Sequence, residues 1–529
     1  MKITLLLSAL ALVFFSNSQT LQITDQYVFG GDFNDLARYG IRINNKTVIG
    51  GDSYSGASGD KTTSNYGSLG SADLWVIAMG DNGIIEWQNS LGGTSDDLLV
   101  TMIETLDGNI LIGAYSESGI GGNKTTPNKG GYDFWLIKMD NQGNEIWQKS
   151  YGGSGDDYLG DLVELSDGSV ILVGTSNSPI SGDKTENSYG LSDYWVVKID
   201  ENGNIIWDRS IGGVYDEGAS SVTIDDNENI FISGGSRSSV SGHKSEVSYG
   251  GYDFWIVKLD NNGNFVWDKT IGGADYDYGT NLIFSNNQIF AFGNSTSGIS
   301  GAKTEISRGE FDIWGAKLDQ NGTILMDKTF GGNYIEQLSD VKLMPSGDLI
   351  LTGSSSSDVS GDVETSSHNN SLDFWILITD TSDLSIKSQF KFGGDQNDVS
   401  PTILEIENNS LLLFGATDSG VSGDKTLPSK GQNDFWVLEL STDLSTSDFH
   451  KEETLSIYPN PTSNTFQISN LPTGESYDLN VLDMMGKSVL ESKVNSLNNS
   501  VDINSLSPGM YTLQMFDGIK RYTSKLIVE

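Results

Sequence analysis

Two kinds of acid return along this chain at intervals near 60 residues. The first stands four residues after the second glycine of a Gly-Gly pair: Asp35, Asp97, Asp157, Glu217, Asp277, Glu336 and Asp398. The second opens an Asp-x-Trp triplet: Asp73, Asp133, Asp193, Asp253, Asp312, Asp373 and Asp434. A lysine in an SGDKT-like loop accompanies them at Lys61, Lys124, Lys184, Lys244, Lys303 and Lys425, and the sixth copy has Val363 and Glu364 instead. Rings of carboxylates can coordinate calcium, which takes several oxygen ligands. A pair of carboxylates can hydrolyse a glycosidic bond. An aspartate at the start of a strand can instead accept backbone N–H groups and hold a turn. Catalysis needs one asymmetric constellation, and these acids repeat sevenfold. No catalytic or metal-binding residue is therefore assigned, the binding residues stay unknown, and all fourteen acids are read as structural repeat positions. No compact D-x-D-x-D-G loop occurs, so no cofactor is expected, with calcium the sole alternative.

Other chemistries are poorly supplied. With no cysteine, disulfides, thiolate metal sites and a cysteine nucleophile are excluded. The three histidines, His243, His368 and His450, lie in unrelated contexts without ligand spacing. A net charge of −40 repels nucleic acid and anionic membrane surfaces.

The elements that must position the acids are short strands. Gly-Gly markers begin at Gly30, Gly92, Gly152, Gly212, Gly272, Gly331 and Gly393, with spacings of 62, 60, 60, 60, 59 and 62. A constant long period signals a propeller or solenoid. In the third copy, strands are predicted over 158–165, 169–175, 193–199 and 204–211, with Ser-Asp-Gly and Asp-Glu-Asn-Gly turns at the two hairpins. Two hairpins per repeat favour a propeller over a solenoid. The fold class is all-β: a seven-bladed β-propeller of about 60 residues per four-stranded blade, followed by a small β-sandwich. The seventh copy lacks a fourth strand, whereas LQITDQYVFGG at 21–31 matches the fourth-strand pattern. An N-terminal strand should thus close the ring and remove an open edge. All 11 tryptophans fall on two repeat positions and are read as packing between blades. The 4→1 connection and the 2→3 loop leave a blade on the same side, so both acid rings and the loop lysines share one face.

Residues 1–19 read as a secretory signal, with Lys2 followed by an apolar run from Ile3 to Phe15. No later segment is long and apolar enough to span a membrane. The propeller is placed at 20–448, a polar linker at 449–454 and the C-terminal module at 455–529.

Two resemblances emerge. The pattern GG-xxx-D, DG-x-I, DFW-x-x-K-x-D-x-x-G resembles the bacterial SBBP β-propeller repeat over nearly all of 20–448. Residues 455–529 resemble the C-terminal sorting domain of the type IX (Por) secretion system of Bacteroidota. The matching residues are Tyr458-Pro459-Asn460-Pro461, 481–487, Leu506-Ser507-Pro508-Gly509-Met510-Tyr511 and the terminal 525–529. This resemblance implies export through that machinery to the cell surface or medium, often with removal of the domain. The expected function is a non-enzymatic binding or adhesion module for a glycan or protein. The alternative is an extracellular hydrolase or lyase that uses acids of one face on polysaccharide.

Overall fold

The computed structural model describes residues 21–44, 46–68, 70–407, 410–441, 453–454, 456–469, 477–482, 488–495, 499–516 and 521–528. The proposed signal at 1–19, His450, most of the proposed linker and the 483–487 part of the sorting motif lie outside them. The chain forms two compact units, one ending at Asp443 and one beginning at Leu444. Among the described residues, no helix is long and apolar enough to cross a membrane.

The first unit contains seven four-stranded antiparallel sheets among the described residues. In the third sheet the strands are Asp157–Glu164, Val170–Ser176, Asp193–Ile199 and Ile205–Ile211. Sequence placed them within one residue of these bounds. The second and third strands are apolar and almost wholly buried, because neighbouring sheets cover both faces. The outer fourth strand is buried only toward its end, as Ile205–Ile211 shows.

The seventh sheet is completed from the other end of the chain. Gln22–Phe29 pairs antiparallel with Asp434–Ser441, from Gln22 opposite Ser441 to Phe29 opposite Phe435. The seams between sheets repeat one contact. The amide of each first acid donates to the carbonyl of the residue preceding the previous sheet's Asp-x-Trp, as Asp157 does to Tyr132 at 2.7 Å. Asp35 does the same to Asn433 at 2.7 Å, so the seventh sheet meets the first as any sheet meets the next.

The seven triplet tryptophans are almost wholly buried, and each indole N–H donates to a fourth-strand Gln or Asp. For Trp436 that acceptor is Gln26 of the N-terminal strand, at 3.2 Å. Several of these rings also stack on the middle residue of the preceding triplet, as Trp195 does on Phe134 with centroids 4.9 Å apart.

The second unit packs a five-stranded sheet and a three-stranded sheet around a core that includes Phe466, Leu479, Val481, Val501, Leu513 and Leu526. Glu453–Thr454, assigned to the linker from sequence, pairs in parallel with Tyr522 and Thr523 and belongs to this unit. The polar composition around it hid a two-residue edge strand.

Candidate functional site

The repeated acids are buried and bonded to the backbone. Each first acid accepts the N–H of its second glycine at 2.6–2.7 Å. Asp157 also accepts the Ser178 hydroxyl, at 2.9 Å. Glu217 and Glu336 accept the hydroxyls of Ser236 and Ser355, two residues before the equivalents of Ser178. Each second acid accepts an amide of its own 2→3 loop, such as Lys129 on Asp133 at 2.7 Å and Lys430 on Asp434 at 2.6 Å.

This packing explains the double glycine. A Cβ on Gly152 would lie 2.1 Å from Asp133 Oδ1 and 3.0 Å from Asp157 Oδ2. A Cβ on Gly153 would lie 2.5 Å from the Ser178 Cβ. The glycines give way to the carboxylates and serines of the seam, so close approach is their reason.

The lysines lie between the acids. Lys61 donates to the Ser53 hydroxyl at 2.7 Å and the Ser55 carbonyl at 3.1 Å, and it feels both Asp35 and Asp73. The sixth sheet lacks this lysine, and its Val363 is buried. There Lys391, on the fourth strand, donates to the Ser357 carbonyl at 3.0 Å and the Ser355 and Ser367 hydroxyls, and feels Asp373 and Glu336. Acids of adjoining sheets also face each other, and the last pair, Asp434 with Asp35, completes the circuit.

Burial dominates the titration of this ring. It pushes Asp73 and Asp193 up to about 7, helped by the neighbouring Asp97 and Glu217. Asp133, Asp312 and Asp398 rise to about 6 by the same cause. Burial draws Lys61, Lys303 and Lys391 down to about 8. The ring holds loops to sheets, and among the described residues no three acids or histidines gather as a metal site. His243 packs beside Tyr189 and Phe265, and His368 bonds Asp373 Oδ2 through Nδ1 at 2.9 Å.

The residues that converge on a cavity are others. Every first strand carries a register shift a few residues in, as between Leu159 and Asp161. Four residues after each first acid, one residue per sheet faces a common cavity of about 190 Å³: Tyr39, Thr101, Asp161, Ser221, Asn281, Asp340 and Thr402. All seven first strands thus contribute to one cavity. This column is polar throughout but differs from copy to copy, and sequence reasoning passed it over by looking for sameness. Aligning the repeats on the first acid would have exposed it.

Asp161 accepts the Leu162 amide at 2.8 Å and that of Val222, in the next sheet, at 3.0 Å. Asp340 accepts the Val341 and Ile403 amides at 2.9 and 3.1 Å. Burial, with a smaller push from Asp340, raises Asp161 to about 7. Above the cavity, on the face of the 4→1 connections, tyrosines cluster unevenly. Tyr115, Tyr132 and Tyr158 pack together with centroids 5.1–5.5 Å apart. Tyr252, Tyr276 and Tyr278 form a second group, with centroids 6.3 and 6.0 Å from Tyr252. The Ser220 hydroxyl, which lines the cavity, donates to the Tyr278 hydroxyl at 3.3 Å, and Arg38 of the cavity wall feels Tyr115. One tyrosine of each cluster, Tyr278 and Tyr115, thus lies next to a residue of the cavity wall. Tyr276 is 56% exposed.

Comparison with known proteins identifies the C-terminal module. Residues 456–529 match the secretion system C-terminal sorting domain. The chain is therefore a type IX secretion substrate, delivered to the cell surface or the extracellular space. The regulatory protein FlaEY of Caulobacter vibrioides is 22% identical over 365 residues, covering 64% of this chain and 38% of that protein. Among solved structures, a protein of unknown function from Dyadobacter fermentans aligns over 80% of this chain and 99% of its own, at 11% identity and a TM-score of 0.41. The WD40 domain of Neurospora crassa Pan2 aligns over 80% and 96%, at 10% identity and a TM-score of 0.40.

Proposed function

We propose that this exported chain is a seven-bladed β-propeller that works as a binding module and docks an uncharged glycan on its tyrosine-rimmed face. The observation that carries the reading is the contrast between the two rings. The acid–lysine ring recurs in every copy, with Lys391 standing in for the loop lysine in the sixth, and its buried carboxylates hold backbone amides of the seams and loops. The axial mouth differs from copy to copy and presents aromatic faces beside hydroxyls and carboxylates. Flat aromatic faces with polar tips suit stacking on sugar rings. The charge of −40 disfavours sulfated or uronic polymers and favours neutral ones. A glycan array with the full chain, with and without chelator, tests this. Binding to neutral glycans that Tyr158→Ala and Tyr278→Ala abolish supports the reading. Binding unaffected by both changes sinks it.

A second reading, hydrolysis or lysis of a polysaccharide, has one observation behind it: two carboxyls, Asp161 and Asp340, line one cavity. Release of new chain ends by the intact protein would establish it over the first.

A further inference from the structure

The cavity floor raises a separate question, independent of what the tyrosine rim docks. Two carboxylates, Asp340 buried and Asp161 partly exposed, line a half-open, oxygen-rich cavity. Each oxygen accepts one backbone N–H, which fills two of about four acceptor sites per carboxylate. Among the described residues, the remaining sites of Asp161 meet no cation of their own. The groups acting most strongly on it are the Val222 and Leu162 amides, Ser221 and Asp340, none of them positive. The cations nearby are engaged. Arg38 pairs with Asp52 through Nε at 2.8 Å. Lys342 donates to the Ile403 carbonyl and attends Asp340. A carboxylate partly withdrawn from water without a counter-charge is costly. Its neighbours in the column, Tyr39, Thr101 and Asn281, add hydroxyl and amide oxygens.

We propose that the axial cavity is a binding site for a primary ammonium group, received between Asp161 and Asp340 with the Tyr39 hydroxyl as a further acceptor. An ammonium brings the missing positive charge and three N–H donors, and charge-assisted bonds of this kind are the strong ones. A metal ion suits the site less well. Calcium takes roughly six to eight oxygens in direct contact, and among the described residues no three acids or histidines gather as a metal site. The volume of about 190 Å³ accommodates an organic group of several heavy atoms. The field of a chain at −40 concentrates cations at such a cleft.

The test is calorimetric titration of the full chain with butylamine at pH 8, where Asp161 is ionised and the amine protonated. Butanol, calcium chloride and a neutral monosaccharide serve as parallel probes. The expected result is saturable binding of butylamine alone. Asp161→Asn should weaken it by roughly tenfold or more, one decade in Kd. Because Asp161 also holds two amides, Asn281→Asp supplies a gain-of-function arm: a further carboxylate in the same column should tighten butylamine binding several-fold. Absence of saturable butylamine binding overturns the proposal. So does equal binding of butanol, binding of calcium or monosaccharide in its place, or an Asn281→Asp protein that binds no tighter. Loss of glycan docking at the rim leaves these readouts unchanged, so the two readings fail separately.

Discussion

The ammonium of Lys391 fills, in the sixth sheet, the place from which Val363 has displaced the loop lysine. Lys391 stands opposite Trp375, where other sheets carry Ser210 or Thr270, the very hydroxyls that Lys184 and Lys244 bond. The positive charge has moved from the loop to the fourth strand while its surroundings have stayed. Lys391→Met should therefore cost about 1–3 kcal/mol by stranding the Ser357 carbonyl and the Ser355 and Ser367 hydroxyls. The double change Val363→Lys with Lys391→Ser rebuilds the arrangement of the other sheets and should recover most of that loss. Urea denaturation of the single and double variants measures both, and a double variant no better than Lys391→Met would show that the two sites do not exchange roles.

Stability should rise as pH falls from about 7, below the range in which the depressed Lys61, Lys303 and Lys391 titrate, to about 5.5. In the folded chain Asp73 and Asp193 bind protons up to about 7, and Asp133, Asp312 and Asp398 up to about 6. In the unfolded chain they release them near 3.9. The folded state therefore holds more protons across this window, and its stability falls as pH rises through it. The turn carboxyls Asp140, Asp200 and Asp260 are held below their ordinary value by their own asparagine side chains and amides. Their contribution is lost only at lower pH still. Calorimetric Tm at pH 7, 6 and 5.5 checks the direction, and a Tm that declines on acidification to 5.5 would contradict it.

Removing residues 21–29 should strip one side of Asp434–Ser441 and leave the Trp436 indole without Gln26. The truncated chain should melt at a clearly lower temperature and self-associate through the bared edge. Light scattering with thermal melting reports both effects.

Gly152→Ala should destabilise by about 3 kcal/mol or more, because its methyl would overlap the Asp133 carboxylate. Pairing it with Asp133→Ala frees the space but leaves the Lys129 amide without its acceptor, so rescue should be partial. Chemical denaturation of the three variants separates steric from hydrogen-bonding loss.

Deleting residues 456–529 should keep the protein in the periplasm, since those residues are its sorting domain. Fractionation and surface labelling give the answer, and normal surface display of the shortened chain would refute the assignment.

Much of the fold was legible because repetition multiplies weak signals. Each Asp-Gly or Asn-Gly turn says little, but repeated at a 59–62 residue spacing the turns fixed the strand limits. The missing fourth strand beside Ser441 and the surplus one at Gln22 pointed to the same joint. Asp193, read from sequence as a strand-entry cap, takes the Tyr189 amide. Lys391 was not legible, because a charge that moves from loop to strand breaks the linear pattern while preserving the spatial one. The axial column was missed for the opposite reason: its members agree only in being polar. Glu453–Thr454 escaped notice because a short parallel edge strand leaves no periodicity to read.

The pairing of Gln22–Phe29 with Asp434–Ser441 has a mechanical side. The strand that leads out toward the C-terminal half is gripped along its length by ladders on both sides, one to Ser410–Thr417 and one to the N-terminal strand. Tension entering through Ser441 acts along that strand, so the rungs on both flanks are loaded together in shear and none can be peeled off singly. For a chain delivered to the cell surface or the extracellular space, the seam where the first and last strands of the first unit meet is also the place where pulling force is shared.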